Sequence, residues 1–88
     1  MDSYRVVFKP SVEKDLKGLT KALVARIMKR IEGLADDAFP RLGAKLSTAD
    51  RLYRIRVGDY RIVYEVDSKA RQITVHYVRH RREAYRDL

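Results

Sequence analysis

The chain has 88 residues and 45% hydrophobic content, enough for one domain, residues 1–88, with one modest core, and too apolar for a disordered segment. Its formal charge of +8 calls for a polyanionic partner: nucleic acid, an acidic protein or an anionic membrane surface. The absence of cysteine excludes disulfides and Cys-based zinc sites, and the start MDSYRVVFKP lacks the apolar run of a signal peptide. No stretch approaches the roughly 20 apolar residues of a membrane span, so the expected location is the cytoplasm, with no membrane partner.

Residues 3–9 (SYRVVFK) are rich in β-branched and aromatic side chains and predict a first strand, ended by Pro10. Ser11 is placed to cap a short helix containing Val12, Leu16 and Leu19, which Gly18 closes. Thr20 is placed to cap a second helix. Its apolar stripe is Leu23, Val24, Ile27, Met28, Ile31 and Leu34, with Lys21, Arg26, Lys29, Arg30 and Glu32 on the other sides. So short a link between them predicts an antiparallel helical hairpin. Residues 36–50 (DDAFPRLGAKLSTAD) read as a loop. Three strands follow, at about 52–57, 60–66 and 71–79, and the ending RREAYRDL suits a short helix or a tail. The expected fold is α+β in the order β-α-α-β-β-β, with the helices on one face of a mainly antiparallel four-stranded sheet.

The segment LYRIRVGDYRIVYEV reads as a hairpin about a two-residue Gly58-Asp59 turn. Arg56 then faces Arg61, Ile55 faces Ile62, and Tyr53 faces Tyr64. Treating residues 67–70 as a four-residue loop pairs Val66 with Arg71, Tyr64 with Ile73, Ile62 with Val75 and Tyr60 with Tyr77. Tyr53, Tyr60, Tyr64 and Tyr77 then belong to the core face. His76 comes beside Arg61, so a row Arg56–Arg61–His76 crosses the polar face, with Arg54 two residues along. Arg79, His80, Arg81 and Arg82 lie at the turn end of the third strand, and Glu65 sits at the far end of its own strand as a structural residue.

Like charges directly opposite each other destabilise a sheet. One reading of the row is a solvated charged face. The other is an anion site, because the arginine fork matches phosphate and a bound phosphate would turn repulsion into attraction. Lysine and glutamate would solvate a face equally well, which favours the second reading.

The element order, the segment YRIRVGDYRIVYEV and the ending VHYVRHRREAYR together resemble the RelE/ParE toxins of toxin–antitoxin pairs, over nearly the whole chain. RelE-type members are ribosome-dependent endoribonucleases that cut messenger RNA in the ribosomal A site. ParE-type members share the fold and poison DNA gyrase. Both are held inactive by a small antitoxin. The resemblance therefore implies a cognate antitoxin with an acidic binding segment, a toxin–antitoxin hetero-oligomer, and the ribosome and mRNA as further partners. It implies catalytic roles for Arg54 and Arg56 on the first hairpin strand, Arg61 on the second, Arg81 after the last strand, and Tyr85 in the C-terminal segment. Arg54, Arg56, His76, Arg79, His80 and Arg82 would bind RNA. The family often has lysine where this chain has Arg54 and Arg56, and arginine does not give up its proton.

The implied chemistry needs no metal. The 2′-OH attacks the adjacent phosphorus, leaving a 2′,3′-cyclic phosphate and a 5′-OH. That demands a proton acceptor, cations for the extra phosphate charge and an acid for the leaving oxygen. Arg61, central in its row, is the first choice for the charge, with Arg56 and Arg81 assisting and Arg54 orienting the backbone. His76 reads either as the base or as a histidine on an exposed strand face. Tyr85 reads either as a stacking or proton-transfer group or as packing for the tail. His80 positions the tail. Asp36-Asp37 reads as a helix end, and without a metal cluster or a Gly-rich phosphate loop no metal or cofactor is expected. A gyrase-inhibiting toxin and a non-catalytic basic RNA-binding module are the alternative functions.

Overall fold

The computed structural model describes residues 3–39, 44–47 and 51–80. In chain order the elements are β1 (Arg5–Phe8), α1 (Pro10–Lys17), α2 (Lys21–Leu34), β2 (Ala44–Ser47), β3 (Leu52–Val57), β4 (Tyr60–Asp67) and β5 (Gln72–His80). They build an α+β fold with both helices on one sheet face. The strand order is β1-β5-β4-β3-β2, and only β1 and β5 run parallel. The expected order of elements is present. The short edge strand β2 is an addition, falling inside the stretch expected to be loop. Its four residues alternate apolar and polar but are too few to announce a strand, and pairing with β3 is what makes them one.

Pro10 does more than end β1. It occupies the first turn of α1, where its missing N–H costs nothing, and Lys9 rather than Ser11 is the N-cap residue. Ser11 is turned to the sheet instead. Its Oγ donates to the His76 carbonyl at 2.7 Å. Thr20 caps α2 as expected, accepting from the Leu23 N–H at 3.2 Å. The stripe of α2 delivers Ile27, Ile31 and Leu34 to the core. They meet Val12 of α1 and Ile55, Val57, Ile62, Tyr64, Val66, Ile73, Val75 and Val78 of the sheet.

Gly58, at φ +58°, makes the β3–β4 turn, and the register is the one its two residues dictate: Val57 with Tyr60, Arg56 with Arg61, Tyr53 with Tyr64. The β4–β5 register differs from expectation in two ways. The loop occupies residues 68–71, so Val66 pairs with Ile73 and Tyr64 with Val75. Asp67 organises that loop, its Oδ1 accepting from the N–H groups of Lys69 and Ala70, while Arg71 takes a left-handed φ of 54°. A shift of two keeps Ile73 and Val75 on the core face. A bulge then inserts His76, so Val63 pairs with Tyr77, Ile62 with Val78 and Arg61 with Arg79. That one-residue slip exchanges faces: Val78 enters the core, and Tyr77 leaves it.

Tyr64 is fully buried, and its hydroxyl donates to the Ala38 carbonyl at 3.0 Å. Its ring stacks on Tyr53 at 5.9 Å, and Phe39 meets Tyr53 edge-on at 5.1 Å. Desolvation of the phenolate, followed by the nearby Tyr53, pushes the Tyr64 hydroxyl up from 10.0 to about 12. The folded chain thus holds this proton more tightly than the unfolded chain. The resulting stability is intact below about pH 10 and is lost as pH rises toward 12. Thermal melts across that range should show wild type losing stability more steeply than Tyr64→Phe. At neutral pH, Tyr64→Phe should cost about 0.5–1.5 kcal/mol, the worth of one buried hydrogen bond. Parallel pH curves for the two proteins would contradict the assignment.

Candidate functional site

The sheet face away from the helices carries two informative rows. Across β3, β4 and β5, the first is Arg54–Val63–Tyr77 and the second is Arg56–Arg61–Arg79. Adjacent strands are about 4.8 Å apart, so three guanidinium-bearing residues stand abreast. Their environments differ. Arg56 is exposed, Arg79 is half-buried, and Arg61 is only 2% exposed. The Arg79 guanidinium lies 4.5 Å from the centroid of the Tyr77 ring, a cation–π contact that holds it beside Arg61. Arg56 and Arg61 also line a small niche at the hairpin tip with Gly58, Asp59 and Tyr60.

The burial of Arg61 departs from the expectation of a surface charge. A central strand between two others, with arginines on either side, leaves its stem little solvent. Its stem and charge are thus set in a low-dielectric position, where a bound anion interacts more strongly than at the surface.

His76 is not beside Arg61. The bulge carries it toward the other end of β4, where its Nε2 lies 3.1 Å from Glu65 Oε1. Arg79 fills the place in the row expected for His76. Glu65 is structural in that it pairs with this histidine. His80 is the last residue of β5, opposite Tyr60, and their rings meet edge-on at 5.5 Å. Arg81, Arg82 and Tyr85 lie outside the described residues. Among those described, no group of three or more His, Cys, Asp and Glu side chains could hold a metal ion, and no helix is long and apolar enough to cross a membrane. Tyr77 is the member of this face that sequence reasoning assigned elsewhere. Only the bulge places it here, and the signal for a bulge is weak in VHYV.

The family model for the ParE toxin of type II toxin–antitoxin systems matches residues 6–85. The chain belongs to the RelE/ParE toxin family. A RelE–RelB complex from Pyrococcus horikoshii OT3 contains a chain 36% identical to this toxin. The match covers 90% of this chain and 96% of that one, with a TM-score of 0.81. A RelB–RelE complex from Methanococcus jannaschii gives 30% identity, coverage of 93% and 98%, and a TM-score of 0.75. A toxin–antitoxin complex from Mycobacterium tuberculosis, at 24% identity, coverage of 89% and 98% and a TM-score of 0.77, shares the fold. Comparison with curated protein sequences found no match. The toxin fold explains why the arginine row can exist: β4 and β5 are held by a full core on the opposite face, so local repulsion does not open the sheet.

Two outcomes test the row as an anion site. In chloride, Arg56→Thr should leave the toxin as stable as wild type or more stable by up to about 1 kcal/mol, because a like-charge cross-strand pair is removed. Millimolar inorganic phosphate should raise the melting temperature of wild type above that in chloride at equal ionic strength. The increment should shrink in Arg56→Thr and in Arg61→Gln. Equal phosphate increments in all three proteins would dismiss the row as an anion site.

Proposed function

We propose that this toxin is a metal-independent, ribosome-dependent endoribonuclease that cuts messenger RNA in the ribosomal A site and so stops translation. The observation that carries the reading is the row Arg56–Arg61–Arg79 with Arg61 buried at its centre. Support also comes from the two neighbours at 36% and 30% identity, both of which are RelE chains. By the same likeness, the partner that silences it is a RelB-like antitoxin, and its acidic segment covers or distorts the arginine face.

The reaction follows from charge. The scissile phosphate sits over the row. Its 2′-oxygen attacks phosphorus, the P–O2′ bond forms and the P–O5′ bond breaks. The products are a 2′,3′-cyclic phosphate and a 5′-hydroxyl. The phosphorane carries one more negative charge than the ground state, and Arg61, flanked by Arg56 and Arg79, stabilises that extra charge. Arg54, one row along, holds the neighbouring backbone, and Tyr77, across Val63 in the same row, presents a ring for a base to lie against. The 2′-OH proton goes to a group outside the described face, because arginine does not accept it and His76 faces Glu65 instead. Ribosomal RNA or water takes it, and water or a C-terminal group protonates the leaving oxygen. Arg81 and Tyr85 remain candidates for that end of the reaction. Dependence on the ribosome then has a chemical reason: this face supplies charge stabilisation without a base.

The second reading, a gyrase inhibitor, is kept by the family model itself, whose description is that of ParE. Single-turnover cleavage of message on programmed ribosomes separates the two. Wild type should cut only when ribosomes are present. Arg61→Gln, which keeps most of the buried volume, should be slower by about 10²–10³. His76→Ala should cut at nearly the wild-type rate, and losing its half-buried pair with Glu65 should cost about 1 kcal/mol of stability. Inhibited supercoiling with no cleavage would move the toxin to the gyrase class, and a greater loss at His76 than at Arg61 would make it a histidine-based nuclease.

A further inference from the structure

A second basic surface lies round the hairpin tip from the arginine row, on the helix side. Arg26, Lys29, Arg30 and Gly33 follow one another at i, i+3, i+4 and i+7, so they form one stripe of α2. With Arg56, Val57 and Gly58 they line an open cavity of about 480 Å³. Four cations thus face one concavity. None of them makes an ion pair with a described residue. Arg56 also lines the niche that holds Arg61, so the two basic surfaces meet at this residue.

Gly33 is the unexpected member. Glycine in the middle of a helix costs roughly 0.5–1 kcal/mol relative to alanine, and Gly33, in the last turn of α2, bears part of that cost. Here neither backbone nor packing requires it: a Cβ built at Gly33 meets nothing within 4 Å, and its φ is not in the left-handed region. The missing side chain leaves the floor of the cavity clear between the basic arms.

We propose that this cavity is a second RNA-binding site of the toxin, holding the phosphate backbone of a structured RNA segment that flanks the strand at Arg61. The inference rests on the nuclease reading above and extends it from the cut phosphate to the neighbouring RNA. Phosphate suits the site for two reasons. Three of the four cations are arginines, whose planar forks match phosphate oxygens. Arg26 and Arg30 are also separated by about 6 Å along the helix axis, so the stripe spans more than one charge centre. An acidic protein segment is the weaker fit. Protein interfaces centre on apolar anchors, and the exposed large hydrophobics, Phe8 and Phe39, are not part of this lining.

The test is fluorescence anisotropy across a salt series, with two labelled probes: an RNA hairpin bearing a single-stranded extension, and the extension alone as a short oligonucleotide. The proteins are wild type, Gly33→Glu, Arg26→Ala/Lys29→Ala, and Gly33→Ala as a control, with circular dichroism melts to confirm folding. Gly33→Glu and the double variant should bind the hairpin about tenfold more weakly and flatten the log–log salt slope by about 1–2, the loss of one or two phosphate contacts. Gly33→Ala should bind like wild type, and all four should bind the short oligonucleotide alike. If wild type binds the hairpin and the folded variants match it in affinity and slope, the second site is refuted while the nuclease reading stands. If wild type binds neither RNA, the second site is refuted, and the nuclease reading is judged separately by cleavage on programmed ribosomes. If the variants lose affinity only for a polyglutamate peptide, the cavity belongs to an acidic protein and the RNA assignment is overturned.

Discussion

The arginine row depends on how β5 continues after its parallel neighbour ends. β1 pairs with β5 only as far as Val75, and the Lys9 N–H closes that ladder on the Val75 carbonyl. Beyond it, the edge of β5 exposes further backbone groups that must find partners when half-buried. α1 supplies them. Ser11 donates to the His76 carbonyl, and Asp15 Oδ2 accepts from the Val78 N–H at 3.1 Å. Side chains of a helix thus stand in for the missing strand. They hold the bulge at His76 and carry Arg79 to its place opposite Arg61.

This arrangement sets a local electrostatic cost against a large apolar gain. Three arginines abreast repel, yet the same strands bury Ile62, Tyr64, Val75 and Val78 on their other face. Buried aliphatic side chains contribute about 1.5–3 kcal/mol each, well above the 0.2–1 kcal/mol of a like-charge cross-strand pair. The fold therefore tolerates a charge pattern that local stability alone would not select. A violation of local preference on a well-supported element is the usual signature of a functional surface.

The positive charge is not confined to one face. Arg56 stands where the exposed sheet face and the outer stripe of α2 converge, at the tip set by Gly58 and Asp59. A polyanion that wraps this tip meets cations continuously, whereas one that docks flat meets only one set. Such a field would draw a polyanion in from a distance within about 10 Å at ordinary ionic strength and weaken as salt rises.

Much of this was legible in the chain. Apolar spacing marked α2 and its core stripe. Thr20 announced its cap, and Gly58-Asp59 set the β3–β4 register, because a two-residue turn leaves only one pairing and side chains alternate strictly along a strand. The facing of Arg56 and Arg61 follows from that turn alone. The rest required tertiary contacts. The four-residue connection admitted two registers that keep the same residues in the core; loop length does not separate them, and the one adopted carries the local bonds of Lys69 and Ala70 to Asp67 and the pairing of Asp67 with Gln72. The bulge at His76, which moved the histidine to Glu65 and brought Arg79 and Tyr77 to the site, is fixed by Ser11 and Asp15, more than 60 residues away in sequence. The burial of Arg61 depends on neighbours on both sides of a central strand, and the α2 cavity on a turn that comes 25 residues after Gly33. Periodicity and turn chemistry act within a few residues and are written locally. Faces, bulges and cavities depend on which distant segments satisfy the same backbone groups, and only the folded chain decides that.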